Sequence, residues 1–282
     1  MKELLKKYYN LNLEIYKSYE DGIIFTINGI NYYFTKCDYD EEYLKYLETI
    51  VNKNYNLKLH RFVYTKKGSI LADNYVLLEL RTLIDDIDLY DIRKFQTVVM
   101  NEFVDKYITM DKFWEDKIDY LERQLTELSS NKLINNSFDY FLGISENLIT
   151  FLKKEFNKEN IKLCISHRCL NSLSTIDFYN PLNICIDYYL KDYIGYIRFK
   201  NDDNLLYEVV ESLNNKNDYG YFFVRLAFPF NYFYEVSNIL IDKKSESELV
   251  KIVNNINEYE NYLWKLEKLF GIYIFSWIKK GN

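Results

Sequence analysis

An Asn28-Gly29 pair between two apolar runs constrains the first third of the chain more than any other feature. Ile23–Ile27 precedes the pair and Ile30–Thr35 follows it. Both residues of a two-residue hairpin turn adopt positive φ, which asparagine and glycine tolerate best, so the pattern predicts a β-hairpin. A further strand-like run, Leu13–Tyr19, comes before the turn Glu20-Asp21-Gly22. The sequence therefore predicts a three-stranded antiparallel meander.

One helix and two more strands are predicted after the meander. Asp38–Val51 carries apolar residues at spacings of three and four, which is typical of an amphipathic helix. The aspartates at its start suit the positive end of a helix. Leu59–Tyr64 and Tyr75–Leu80 have strand patterns and are joined through a short Ile70-Leu71 stretch. The predicted order is strand, strand, strand, helix, strand, strand.

Beyond Leu80 the apolar spacing becomes helical. The predicted helices are Asp86–Asp105, Met110–Ser130, Ser137–Phe156, Leu205–Leu213 and Tyr219–Ile241, the last broken or kinked at Pro229. Ser245–Glu248 has the spacing of a capping box and should open a long helix that approaches Gly271. The predicted fold class is α+β, with a five-stranded antiparallel sheet and one helix in residues 1–80, a hinge at 81–84, and a mainly helical part at 85–282.

Composition and charge exclude several classes of protein. Hydrophobic residues make up 48% of the chain, which argues against disorder. No stretch reaches the roughly 18 apolar residues of a membrane helix, and the N-terminal segment lacks the apolar region of a secretory signal. The net charge is −6 and the lysine pairs are scattered, so neither nucleic acid nor a membrane is an expected partner. A soluble, cytoplasmic protein is expected.

The rare residue types gather in Leu163–Arg198. This segment holds His167, one of two histidines, and three of the four cysteines. None of the cysteines forms a CxxC pair, which is typical of reduced thiols. Cys164, Cys169 and His167 lack a fourth metal ligand, so burial of the cysteines among apolar residues is favoured over a metal site.

Five stretches carry a family resemblance: Trp114–Leu125, Phe138–Ile149, Ser166–Arg168, Ile186–Arg198 and Arg225–Phe233. In this order they resemble the spore-coat-associated kinase-like proteins of endospore-forming bacteria (the YutH and CotS type). These proteins belong with aminoglycoside and choline phosphotransferases in the protein-kinase-like superfamily. Together with the strand order, the resemblance covers nearly the whole chain. It implies a two-lobed protein-kinase-like fold, with a small N-lobe and a helical C-lobe on either side of the hinge.

The resemblance also implies where catalytic residues would lie. Active members of the superfamily carry a His-x-Asp-x-x-x-x-Asn loop and a later aspartate that holds magnesium. Counting from His167 places Cys169 at the catalytic aspartate and Ser174 at the asparagine. Asp187 matches the magnesium aspartate, and Asp192 resembles the structural aspartate that follows it. A thiol cannot replace the carboxylate that accepts a hydroxyl proton, so the loop is degenerate and no catalytic residue is assigned.

Structural alternatives stand beside these roles. For His167 a hydrogen-bonded loop histidine is favoured. For Asp187 a metal ligand and an inherited hydrogen-bond acceptor carry equal weight. For Asp192 a structural role is favoured, in which it bonds the backbone near His167.

The phosphate-binding side has few of the expected residues. Gly22 is the only glycine between the first two strands, and two acidic residues precede it. Lys36 on the third strand could be the phosphate-pairing lysine, with Glu48, Glu41 or Glu42 as its partner. An exposed lysine at the end of a strand is the favoured alternative. ATP and Mg²⁺ are the cofactors that a surviving site would use.

The predicted function is a catalytically inactive kinase-like protein, a pseudokinase, of the spore coat or its assembly. It would act through contacts with other coat or coat-assembly proteins and associate with the forespore. Losing a positioned general base costs roughly 10²–10⁴ in rate, which disfavours ordinary phosphoryl transfer. One alternative is a divergent ATP- and Mg²⁺-dependent phosphotransferase that retains Asp187. Another is a pseudokinase that binds nucleotide without turnover.

Overall fold

The computed structural model describes residues 1–82, 85–100, 108–128, 131–156, 161–170, 172–242 and 244–278. Contacts divide the chain into two units, Met1–Glu102 with Lys162–Phe199 and Phe103–Ile161 with Lys200–Asn282. The sequence predicted two continuous lobes, whereas this division places residues 162–199 with the N-terminal residues. Leu83 and Ile84 of the predicted hinge lie outside the described residues, and the lobe boundaries stay a prediction.

An antiparallel sheet forms the base of the first unit. Its strands are β1 (Lys17–Tyr19), β2 (Gly22–Ile27), β3 (Ile30–Lys36), β4 (Arg61–Val63), β5 (Leu71–Ala72) and β6 (Tyr75–Glu79). The order is β1-β2-β3-β6-β4, and β5 pairs with the start of β6. The predicted meander is confirmed, because β2 and β3 pair from Gly22 and Thr35 to the turn at Asn28-Gly29. Both turn residues have positive φ.

Two details of the predicted sheet are corrected. The first strand begins at Lys17 rather than Leu13, because only Lys17–Tyr19 pairs with β2, and Ile15 before it is exposed. Among the described residues the sheet has six strands rather than five, since Leu71–Ala72 pairs with β6 as a strand of its own. Two residues are too few to show a period in the sequence.

The described helices follow in chain order. They are α1 (Lys2–Tyr9), α2 (Glu41–Lys53), α3 (Leu89–Gln96), α4 (Met110–Leu128), α5 (Lys132–Glu155), α6 (Thr175–Phe178), α7 (Lys191–Lys200), α8 (Asp203–Ser212), α9 (Lys216–Ala227), α10 (Phe230–Asp242), α11 (Ser247–Asn254) and α12 (Ile256–Phe270). No described helix is both long and apolar enough to cross a membrane.

Capping residues set the ends of α2 and α3. The Asp40 side chain accepts a hydrogen bond from the Tyr43 backbone N–H, so α2 begins at Glu41 rather than Asp38. Asp88 and Asp91 form a capping box at the start of α3. That helix ends at Gln96, well before the predicted Asp105, and residues 101–105 of the prediction lie outside the described residues.

A second, two-stranded sheet completes the first unit. Its strands are β7 (Leu163–His167) and β8 (Ile184–Tyr188), which pair antiparallel. The register sets Cys164 opposite Asp187 and places His167 opposite Ile184. The chain between the strands contains α6. This hairpin therefore presents the segment that the sequence singled out.

The second unit is helical, as predicted. Trp114 on α4 stacks on Phe228 at a centroid distance of 3.7 Å, and Phe141 on α5 stacks on Tyr232 at 3.9 Å. Helix α5 begins at Lys132 rather than Ser137, since the Asn131 side chain caps it. The predicted helix Tyr219–Ile241 is interrupted at Pro229, as expected, because α9 ends at Ala227 and α10 begins at Phe230.

The capping box predicted at Ser245–Glu248 is wrong. Helix α11 begins at Ser247, and its N-cap residue, Glu246, makes no side-chain capping bond. The Ser245 hydroxyl accepts a hydrogen bond from the Ser247 backbone N–H at 3.2 Å. In a capping box it would accept from the residue three positions later, which is Glu248. The predicted long helix is divided at Asn255, and Gly271 ends α12 with a φ of 65°.

Candidate functional site

His167 ends β7 and is held on three sides. Its ring Nδ1 lies 2.8 Å from Asp192 Oδ2, and its backbone N–H donates to Asp192 Oδ1 at 3.0 Å. Its Nε2 lies 2.6 Å from the Phe178 carbonyl oxygen. Because a carboxylate and a carbonyl both accept, the ring satisfies both when each nitrogen donates a hydrogen. The predicted bond from Asp192 to the backbone near His167 is confirmed.

Aromatic rings enclose the same histidine. His167 stacks on Phe178 with ring centroids 4.2 Å apart and contacts Phe95 at 5.0 Å. The ring and the Asp192 carboxylate are both buried. These contacts fit the favoured interpretation of His167 as a hydrogen-bonded histidine that fixes the loop after β7.

The two degenerate positions face different surroundings. Cys169 is exposed, so its expected burial among apolar residues is wrong. Its backbone carbonyl accepts a hydrogen bond from the Asn183 side chain at 3.0 Å. Ser174 is the N-cap of α6, where its hydroxyl accepts from the Ile176 backbone N–H at 3.2 Å. The hydroxyl is therefore used in starting a helix. At the position where the resemblance would place the catalytic base, the cysteine thiol is exposed.

A cleft of about 160 Å³ lies beside Cys169. It is lined by Glu20, Cys169, Leu170, Ser172, Asp177, Phe178, Asn180 and Asn183. The Tyr19 hydroxyl donates to Asp177 Oδ2 at 2.7 Å, which ties the end of β1 to α6. Burial, followed by the charges of Asp177 and Asp21, raises the pKa of Glu20. Glu20 and Asp177 therefore make the cleft acidic, and the hydrogen bond from Tyr19 to Asp177 fixes the start of the β1–β2 turn beside it.

Asp187 on β8 is already paired with a positive charge. Its Oδ2 lies 2.7 Å from the Lys191 ammonium, and its Oδ1 accepts from the Tyr188 backbone N–H at 2.7 Å. Lys191, the first residue of α7, also donates to the Cys185 sulfur at 3.3 Å. The carboxylate therefore has a cationic and a backbone partner.

The predicted nucleotide residues on β3 and α2 have local partners. The Lys36 ammonium is exposed and lies 3.5 Å from Asp38 Oδ1. Glu48 accepts a hydrogen bond from the Tyr64 hydroxyl. Glu41 accepts from the Ser69 hydroxyl and from two backbone N–H groups that follow it. Cofactor roles for Lys36 and Glu48 stay predictions.

Gly22 has a packing reason of its own. A Cβ at this position would clash with the Phe34 carbonyl oxygen and the Tyr33 ring on the neighbouring strand. Gly22 pairs with Thr35 at this end of β2 and β3. Close approach of two strands therefore accounts for this glycine without any phosphate.

The residues at the matching positions do not fit a magnesium ion. Magnesium requires oxygen ligands in near-octahedral geometry at about 2.1 Å. Here Asp187 contacts an ammonium, the Ser174 hydroxyl caps a helix, and position 169 is a cysteine. Within the described part of the chain, no three His, Cys, Asp or Glu side chains form a group that could hold a metal ion. ATP and Mg²⁺ stay predictions of the resemblance.

Comparison with solved structures identifies the architecture. An aminoglycoside phosphotransferase from Alicyclobacillus acidocaldarius matches 92% of this chain with a TM-score of 0.64, and the match spans 92% of that protein. The chain has a kinase-like fold. The two sequences are 10% identical, so the similarity concerns the fold. No protein-family model matches the chain, and no curated protein matches it.

Several residues around the cleft and Asp187 were not predicted from the sequence. Tyr19 and Asp177 are 158 positions apart, so no local pattern links them. Lys191 lies four residues after Asp187. The sequence shows this spacing, but it does not show that the chain changes from strand to helix between the two residues. The asparagines of the cleft were not singled out in the sequence: Asn180 caps a short 3-10 helix, Pro181–Asn183, and Asn183 ends it before β8.

Proposed function

We propose that this kinase-like protein is a pseudokinase that acts through protein contacts in the spore coat or its assembly. The observation that carries the proposal is the cleft beside Cys169. A thiol stands where the resemblance calls for the carboxylate that accepts a hydroxyl proton. Removing such a base costs roughly 10²–10⁴ in rate.

The size and charge of the cleft support the same conclusion. Its volume of about 160 Å³ is below the roughly 300–1,000 Å³ of pockets that enclose small-molecule ligands. Glu20 and Asp177 line it, and both would repel phosphate groups. The bond between Tyr19 and Asp177 holds the β1–β2 turn against α6, where a phosphate-binding loop would need room.

Exposed aromatic side chains offer contact surface. Tyr55, Tyr234 and Tyr273 are all largely exposed. Aromatic residues are enriched at protein–protein interfaces, since they bury a large area and keep a polar tip. The resemblance to spore-coat-associated proteins points to coat or coat-assembly proteins as partners and to the forespore as the place of action.

Nucleotide binding gives the most direct test of the non-catalytic proposal. The unfolding temperature is measured with and without ATP and MgCl₂, for the wild type and for Asp187→Asn. We expect ATP and MgCl₂ to leave the wild-type unfolding temperature unchanged. The cleft is small and acidic, and the hydrogen bond between Tyr19 and Asp177 joins β1 to α6 beside it. A rise in the wild type that Asp187→Asn abolishes would favour the divergent phosphotransferase that retains Asp187.

Two further measurements complete the test. If ATP raises the unfolding temperature but no phosphate is released over time, the protein binds nucleotide without turnover. A fluorescent fusion in sporulating cells is expected to concentrate at the forespore. A uniform signal throughout the cell would contradict the spore-coat part of the proposal.

A further inference from the structure

We propose that Lys191 is the resident cation of this site: its ammonium takes the place beside Asp187 that a divalent metal ion would need, and it excludes such an ion. The inference deepens the proposed function, because it explains how a kinase-like site keeps a half-buried aspartate without a metal. It rests on the pair of contacts that Lys191 makes across the end of the β7–β8 hairpin.

The strand register brings the relevant groups to one face. Cys164 pairs with Asp187 and Ser166 pairs with Cys185, so these four side chains share a face of the hairpin. Lys191 follows β8 at the start of α7 and reaches back over this face. Its ammonium lies 2.7 Å from Asp187 Oδ2 and 3.3 Å from Cys185 Sγ.

Partial burial favours the pairing of the carboxylate with a cation. The side chains of Lys191 and Asp187 are 12% and 19% exposed. A carboxylate with this little contact with water is stabilised by a partner charge, since removing one member of a shielded ion pair is destabilising. A divalent ion bound to the same oxygen would lie within a few ångströms of the ammonium, so the two cations exclude each other.

The other groups nearby are poor ligands for magnesium. The side chains of Cys164 and Cys185 on the same face of the hairpin offer sulfur atoms, whereas magnesium prefers oxygen ligands. Asp192, the nearest other carboxylate on α7, has both oxygens bonded to His167.

An exposed pair elsewhere in the chain provides a matched comparison. Lys112 and Asp116 are also four residues apart, and their charged atoms are also 2.7 Å apart. Their side chains are 58% and 61% exposed. Water compensates each of these charges without the other. The two pairs therefore share the sequence spacing and the distance between charged atoms, and they differ in burial.

The test uses Mn²⁺ as the probe and the full chain as the protein. Free Mn²⁺ is followed by electron paramagnetic resonance in titrations of the wild type, Lys191→Met, Lys112→Met and the double variant Lys191→Met with Asp187→Asn. We expect Lys191→Met to bind Mn²⁺ roughly tenfold or more tightly than the wild type does. Lys112→Met should match the wild type, and the double variant should lose the gain.

Two outcomes would overturn the proposal. Asp187-dependent Mn²⁺ binding by the wild type, shown by its loss in Asp187→Asn alone, would overturn the proposal. So would a Lys191→Met protein that binds Mn²⁺ no better than the wild type. Should Lys191→Met fail to fold, Lys191→Gln is titrated instead, and Lys191→Arg, which retains the positive charge, should still exclude the ion.

Failure of this inference is distinguishable from failure of the proposed function. A wild type that binds Mn²⁺ at Asp187 would still have Cys169 in place of the base, and the protein-contact function would stand. A fusion protein spread uniformly through sporulating cells would contradict the coat assignment and leave the Mn²⁺ titration unaffected.

Discussion

The Asp192 carboxylate binds both the ring and the backbone of His167, with Nδ1 2.8 Å from Oδ2 and the backbone nitrogen 3.0 Å from Oδ1. One side chain thereby fixes the orientation of the imidazole and the end of β7 together. The turn after β7 leads to Cys169, so the geometry of the degenerate loop depends on this pair.

Asp192→Asn should destabilise the protein markedly. The amide keeps the shape of the carboxylate but removes the charged acceptor of the hydrogen bonds from the His167 ring and backbone, and a hydrogen bond to a charged group contributes about 1.5–3 kcal/mol. Urea unfolding measures the change. Asp116→Asn, which breaks the exposed pair with Lys112, serves as the control and should cost less than about 1 kcal/mol. Equal losses in the two variants would contradict the prediction.

His60 should make the stability of the protein sensitive to acid. It is buried, its Nδ1 accepts from the Arg81 backbone N–H, and its Nε2 donates to the Ile176 carbonyl. Burial lowers its pKa from 6.5 to about 4. Between pH 6.5 and pH 4, His60 is mostly protonated in the unfolded chain and mostly neutral in the folded chain. The stabilisation is therefore present above pH 6.5 and is lost as the pH falls toward 4.

The magnitude for His60 follows from the same linkage. Between pH 7 and pH 5 the wild type should lose about 2 kcal/mol more stability than His60→Gln, which has no proton to take up in this range. Urea unfolding of both proteins at the two pH values gives the difference. Parallel pH profiles would show that the ring does not stay neutral in the folded state.

Glu41 and Glu42 should differ sharply although they are adjacent. Burial alone would raise the pKa of Glu41, but hydrogen bonds from Ile70, Ser69 and Leu71 outweigh it and hold the pKa below its usual value. Glu41→Gln should cost about 1–3 kcal/mol, since these donors lose a charged acceptor. Glu42→Gln, at an exposed position, should stay within about 0.5 kcal/mol of the wild type.

The acid dependence of Glu41 has a definite sign. Its lowered pKa means that the stabilisation is present above the ordinary glutamate range and is lost as the pH falls through the folded-state pKa. Thermal unfolding between pH 6 and pH 3 compares the wild type with the two glutamine variants. If Glu42→Gln flattened the profile as much as Glu41→Gln, the loop contacts of Glu41 would not be its cause.

The four cysteines should react at very different rates. Cys169 is exposed, whereas Cys37 and Cys164 are buried and Cys185 is half-buried. Burial raises the pKa of Cys164 to about 12 and also raises the pKa values of Cys37 and Cys185. The thiolate is the reactive form, so iodoacetamide at pH 8 should label Cys169 first.

Mass spectrometry identifies the labelled thiol. Cys169→Ser should remove the fast phase of labelling, and urea should make the three remaining thiols reactive together. Fast labelling of Cys185 in the native protein would mean that the contact with Lys191 does not shield its sulfur.

Much of the fold could be predicted from sequence because its signals are local. The Asn28-Gly29 turn, the apolar face of α2 and the break at Pro229 each depend on a few neighbouring residues. The capping box at Ser245 failed although its signal is local too. The spacing of Ser245 and Glu248 matched, but the Ser245 hydroxyl accepts from the backbone N–H of Ser247 instead of that of Glu248.

The site was harder to predict, since its key contacts join distant residues. The backbone bond of Asp192 followed from the family resemblance. The bond between Tyr19 and Asp177 depends on how β1 packs against α6, which no periodicity encodes. Lys191 had the right spacing from Asp187, but only the change from strand to helix directs its ammonium back onto the hairpin.

The division of the chain into two interleaved units has a consequence for synthesis. Residues 162–199 belong with Met1–Glu102, and the segment between them belongs with residues that come after Phe199. A ribosome therefore delivers the first sheet long before β7, β8 and the Ile176 carbonyl that His60 binds. Until those residues emerge, the nascent first unit exposes apolar surface that its own later sequence must cover, and chaperones have time to act on it.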